Sequence, residues 1–122
     1  MMEGNNSTEK DTESLSSIIA REVCSYGSEQ MGIYPKKVSV DVHEQSVTVT
    51  LEGVSHPAEL ELAKKQLSRS MIQEMYTELF NVSNSVLHSR LENNLDKTVI
   101  RSFFTVDPQY GSAVIVLFFG LK

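Results

Sequence analysis

One cysteine, three prolines and no stretch dense in lysine or arginine mark this chain of 122 residues. A single thiol, Cys24, cannot close an internal disulfide, which fits a reducing compartment and excludes a stapled, secreted scaffold. The net charge is -5, and residues 1–14 hold Glu3, Glu9, Asp11 and Glu13 against Lys10. Phosphate neutralisation dominates affinity for DNA and RNA, so a nucleic-acid partner is not expected, nor attachment to anionic lipid by charge alone. The start of the chain lacks a cationic segment followed by an apolar core, so no secretory signal is expected. The longest apolar run, residues 113–119, is strand-sized and far short of the ~20 residues of a membrane span. Direct membrane insertion is therefore not expected, and the chain reads as cytoplasmic.

Catalytic and metal motifs are missing too. The chain has no glycine-rich phosphate loop, no Cys-x-x-Cys and no His-Glu-x-x-His. His43, His56 and His88 fall in a hairpin, at a helix start and inside a helix, with nothing in the spacing to join them as ligands. The expectation is a non-enzymatic protein with no cofactor and no metal.

What is present is a set of periodic segments sized for one domain. Residues 1–11 are polar and read as a disordered tail, with a regulatory arm as the alternative; residues 12–122 form the domain. Leu15, Ile18, Ile19, Val23 and Tyr26 recur at helical spacing, which predicts a helix over 12–31. Asp11 or Thr12 would cap it, and Gly32 with Pro35 would end it. Cys24 lies at the edge of this stripe and reads as a small core hydrophobe rather than a reactive thiol. Residues 37–43 and 46–52 alternate apolar and polar, which predicts two strands joined by a hairpin at His43-Glu44-Gln45.

Ser55-His56-Pro57-Ala58-Glu59 reads as a helix start, with proline in the first turn and an acid near the positive end of the dipole. Leu60, Ala63 and Leu67 would form its apolar face. A break is expected at Ser68-Arg69-Ser70, followed by a long helix to residue 93. That helix has two apolar stripes, one through Met71, Ile72, Met75, Leu79, Val82 and Val86, the other through Tyr76, Phe80, Leu87 and Leu91. Residues 99–106 alternate again, with Ile100, Phe104 and Val106 opposite Val99, Arg101, Phe103 and Thr105. Asp107-Pro108-Gln109-Tyr110-Gly111 is a turn. The last strand, 113–121, is apolar on both sides.

The order α-β-β-α(α)-β-β predicts an α+β two-layer sandwich, a four-stranded antiparallel sheet with helices on one face. One helical layer covers one sheet face, so the apolar outer side of the last strand implies another cover. Self-association is assigned to Tyr76, Phe80, Leu87, Val116 and Phe118, giving a homodimer. A second candidate region is a small-anion or metabolite site at Ser55, His56, Glu59 and Arg69, where helix-start N–H groups could hold negative charge.

The residues that punctuate this pattern also resemble a known family. Gly32, Pro35, the paired strands, Val54-Ser55-His56-Pro57-Ala58-Glu59 followed by Leu62-Ala63, the turn from Asp107 to Gly111 and the Val-Ile-Val-Leu-Phe ending are similar to the MpsC-like domain of bacteria. The resemblance spans roughly residues 15–121. It implies an accessory or regulatory module of a membrane ion or inorganic-carbon transport system, against the alternative of a soluble sensor. His56 stands where the family has a hydroxyl residue, and Tyr76 where it tends to have an arginine.

Overall fold

The structure is a computed structural model describing residues 14–121. The tail expected over 1–11 and the proposed caps Asp11 and Thr12 lie outside the described residues. Helix α1, Leu15–Tyr26, is capped by Ser14, whose Oγ accepts the Ser17 N–H at 3.1 Å. The expected single helix to residue 31 is instead two pieces, because Gly27–Met31 forms a wide i→i+5 turn. Such a turn takes more residues per revolution than an α-helix, and Tyr26 before it and Met31 at its end are both buried. Gly32 ends the segment at φ 66, in the left-handed region that glycine enters without a Cβ penalty.

Strands β1, Lys37–Val42, and β2, Ser46–Glu52, form the expected hairpin. Helix α2, Pro57–Leu62, and helix α3, Gln66–Asn94, follow. The break between them lies at 63–65, before the expected Ser68-Arg69-Ser70. There the Lys64 and Lys65 N–H groups donate back only three residues, to Glu61 and Leu62, and Lys65 is extended. Strands β3, Lys97–Asp107, and β4, Ser112–Leu121, complete an antiparallel sheet in the order β1-β2-β4-β3. The α+β layering and element order read from the sequence are those observed.

The core lies between the helices and one sheet face. Val47, Val49 and Leu51 of β2 and Ala113, Ile115, Leu117 and Phe119 of β4 point into it. Phe80 fills its centre, stacked on Phe104 at 5.2 Å and meeting Tyr26 edge-on at 6.1 Å. At one edge the buried Tyr26 hydroxyl lies 2.7 Å from Ser83 Oγ. Ser83 donates its only proton to the Leu79 carbonyl, so Tyr26 is the donor of that pair. Glu22, also buried, accepts from Arg90 at 3.0 Å and from Arg21 at 3.2 Å, and Arg90 reaches on to Glu29 at 2.9 Å, tying α1 and its wide turn to α3.

Three expectations change. The face of Leu60, Ala63 and Leu67 buries Ala63 alone, because the chain breaks there; Leu60 and Leu67 are exposed. On α3 the buried stripe is Ile72, Tyr76, Phe80, Ser83, Leu87 and Leu91, while Met71, Met75 and Val82 face outward. The two stripes have equal spacing, and the one with the aromatic rings fills the core. On β3 a bulge between Val99 and Arg101 inserts Ile100 as an extra residue, so Val99 turns inward and Ile100 outward. Glu92 of α3 accepts the Val99 N–H at 2.8 Å and fixes the bulge to the helix.

Candidate functional site

Helix α2, the start of α3 and the β3–β4 turn meet at one end of the sheet. Glu59 stands at the third position of α2, where its Oε1 accepts the His56 backbone N–H at 3.2 Å. Its Oε2 accepts the Tyr76 hydroxyl at 2.7 Å. Burial pushes the Tyr76 phenol well up from its ordinary value, and the bond to Glu59 and its negative charge push in the same direction. One oxygen of the Glu59 carboxylate is thus satisfied by a phenol. Arg69 donates from Nη1 to the Ala63 carbonyl at 2.8 Å, closing the break after α2, and to Gln109 Oε1 at 3.3 Å. Val54 N–H donates to the Gly111 carbonyl at 2.9 Å, and Ser55 Oγ to the Pro108 carbonyl at 3.4 Å.

Ser55 and Arg69 are therefore bonded to the β3–β4 turn, and Glu59 to its own helix start and to Tyr76. His56 gives its backbone N–H to the cap and is itself exposed. Beside Arg69 lies an open cleft of about 410 Å³, with Gln73, Asp107 and Gln109 among its walls. It presents one cation and one carboxylate.

Two other reactive side chains are held quiet. Burial pushes the Cys24 thiol up, away from the thiolate. His88 Nε2 lies 2.8 Å from Ser102 Oγ, and burial lowers its pKa despite the opposing charge of Glu92. No group of acidic, His and Cys residues placed to hold a metal occurs among the described residues.

The second region is the sheet face away from the helices. Residues opposite one another in the ladder share a face, so this side holds rows: Ser39-Thr50-Val114-Thr105, then Asp41-Thr48-Val116-Phe103, then Ser46-Phe118-Arg101. Phe103 is 56% exposed and Ile100 is 62% exposed. Phe103 meets Phe118 edge-on at 5.9 Å, and the Arg101 guanidinium lies 4.6 Å from the Phe118 ring centre.

Of the residues assigned to self-association, Val116 and Phe118 lie on this face, half-buried. Tyr76, Phe80 and Leu87 do not reach any surface, because they are the inward stripe of α3. The apolar surplus belongs instead to Ile100 and Phe103 on the sheet and to Leu67, Met71, Met75 and Val82 on the helix. Met71, Met75 and Val82 were visible as the competing stripe, whereas Leu67 was read as part of an inward face and Ile100 was hidden by the bulge.

Hydrogen-bonded clasps thus lie at one end of the sheet, and apolar side chains are exposed on the outer sheet face and on α3. The chain belongs to the MpsC family, described as "Na+-translocating membrane potential-generating system (MpsC)", whose model matches residues 11–120. Neither a curated protein nor a solved structure gives a significant match. No helix among the described residues is long and apolar enough to cross a membrane.

Proposed function

We propose that this protein is a non-enzymatic, cytoplasmic accessory or regulatory module that self-associates and docks on a membrane ion or inorganic-carbon transport system. The observation that carries the docking is the outward stripe of α3. Leu67, Met71 and Met75 recur at four-residue steps and Val82 continues the line two turns on, with Leu60 and Leu62 of α2 also exposed. Unbranched methionines accommodate partners of varied shape, and such a stripe suits an apolar groove or helix of a transport subunit. The family description supplies the kind of system. With no spanning helix among the described residues, contact with an integral subunit is the route this reading takes.

The test is capture of the tagged full chain from its native host with membranes solubilised, read by quantitative mass spectrometry. Enrichment of an integral transport subunit is expected, and Met71→Glu with Met75→Glu is expected to abolish it. Recovery of the chain alone would overturn the docking. A second reading, a sensor for a small anion, is favoured only by the Arg69 cleft. It predicts thermal stabilisation by an anion that Arg69→Gln removes.

A further inference from the structure

We propose that this chain pairs with a second copy through the open edge of β1, strand to strand and antiparallel, about a two-fold axis perpendicular to the sheet. This specifies the self-association of the preceding reading and rests on it.

The sheet has β1 at one edge and β3 at the other, and the two are protected differently. On β3 the bulge at Ile100 breaks the edge, and two side chains of α3 occupy its main chain. Glu92 accepts the Val99 N–H at 2.8 Å, and Gln73 Nε2 donates to the Val106 carbonyl at 3.3 Å. Such devices stop another strand from adding. Among the described residues β1 has neither. The His43 N–H bonds the Ser46 carbonyl, and ladder bonding alternates from that pair, so Lys37, Ser39 and Asp41 turn their main-chain groups to β2. Val38, Val40 and Val42 turn theirs to the open edge, where no described group caps them.

This edge is complementary to itself in one direction. Lys37 and Asp41 stand near its two ends on the outer side of the sheet, both exposed, and neither makes an ion pair among the described residues. Charges on an edge ordinarily hold a second strand off, but here they are of opposite sign. An antiparallel copy exchanges the ends, so Lys37 of each comes beside Asp41 of the other. A two-fold axis along the strands would pair them in parallel instead, setting Lys37 level with Lys37 and Asp41 level with Asp41. Charge therefore selects the antiparallel pair.

The main chain selects the register. With Val40 on the axis all three valines bond across the seam, in roughly six N–H···O bonds, against roughly four with Ser39 on the axis. Lys37 and Asp41 are then diagonal neighbours, within reach of a long side chain. Val42, 46% exposed, is set opposite Val38 of the other copy on the helix side of the sheet. The joined sheet runs β3-β4-β2-β1-β1-β2-β4-β3, with the capped β3 at both ends, so addition stops at two copies. The edge Lys37–Val42 is ~20 Å long, which makes a small contact held by main-chain bonds as in strand addition. It belongs to the transient class, with a dissociation constant on the order of 100 µM.

The test is sedimentation equilibrium of the full chain from ~10 µM to ~1 mM, with amide exchange read at both ends of that range. The wild type is expected to dimerise. The Val38, Val40 and Val42 amides should gain protection as it does, while those of Lys37, Ser39 and Asp41, already bonded to β2, should not change. Lys37→Glu and Asp41→Lys are each expected to weaken dimerisation at least ~5-fold while unfolding within a few degrees of the wild type. Their equimolar mixture is expected to form a heterodimer of near wild-type affinity, because opposite charges then meet at both ends. A monomer at every concentration overturns the proposal, including one whose three valine amides are already protected at ~10 µM by residues 1–13 of its own chain. A dimer whose valine amides stay unprotected overturns the edge. Indifference to the charge changes, or a mixture that is not rescued, overturns the direction. Capture of a transport subunit is scored separately: its loss with the dimer intact sinks the docking reading alone.

Discussion

Strand β4 presents two faces made from almost the same alphabet. Ala113, Ile115, Leu117 and Phe119 point inward and are buried; Val114, Val116 and Phe118 point outward and are half-buried. Hydropathy does not separate them. What separates them is what lies opposite: α1 and α3 on one side, and only neighbouring side chains on the other. The inner residues hold the monomer together. The outer ones have the composition of an inner face without its cover.

The largest effect that sharpens this contrast is in the core. Phe80→Ala removes the ring that contacts both Tyr26 and Phe104 and is expected to cost about 3–5 kcal/mol in denaturant unfolding. Ser83→Ala strands the buried Tyr26 hydroxyl and should cost about 1–3 kcal/mol; adding Tyr26→Phe should recover part of it, because a phenol no longer lacks a partner. Arg90→Ala leaves the buried Glu22 with Arg21 and should cost about 1–2 kcal/mol, since Arg90 is only partly withdrawn from water.

Across the sheet the effect is small. Phe103→Thr should change unfolding by no more than ~0.5 kcal/mol, and a stability loss as large as that of Phe80→Ala would erase the distinction between the faces.

The smallest effect is with pH. Burial lowers the His88 pKa below its ordinary 6.5, so the unfolded chain takes up a proton that the folded one resists. Above 6.5 both states are neutral and His88 contributes no slope; as pH falls below it, stability declines until the folded group also protonates. His88→Gln should flatten thermal-unfolding profiles in that acid window.

Strands and turns were legible because a two-residue period and the Asp107–Gly111 turn chemistry are local signals. Which stripe of α3 faces inward was not, since two adjacent stripes share one spacing and only Tyr26, Val49 and the rest of the assembled core decide between them. The clasps were illegible for a related reason. Arg90 meets Glu22 from 68 positions away, and Arg69 meets Gln109 from 40. Ser55, Glu59 and Arg69 were singled out as polar groups near a helix start; the hydrogen bonds of Ser55 to Pro108 and of Arg69 to Gln109 could be seen only once the β3–β4 turn was beside them.

The extra residue at Ile100 acts on β3 as a letter added to a message and looped out, so that the frame is kept. Inside and outside alternate along a strand like a two-letter code, and the bulge holds Ile100 outside that count. Val99 is interior and Arg101 exterior, as an unbroken alternation would set them with Ile100 left out. Point changes at Ile100 would alter one outward side chain, whereas deleting it would set Val99 directly before Arg101 in an unbroken ladder, still opposite Phe119 and still inward. The extra residue therefore adds an outward side chain over Gly120 while the residues on both sides of it keep their partners.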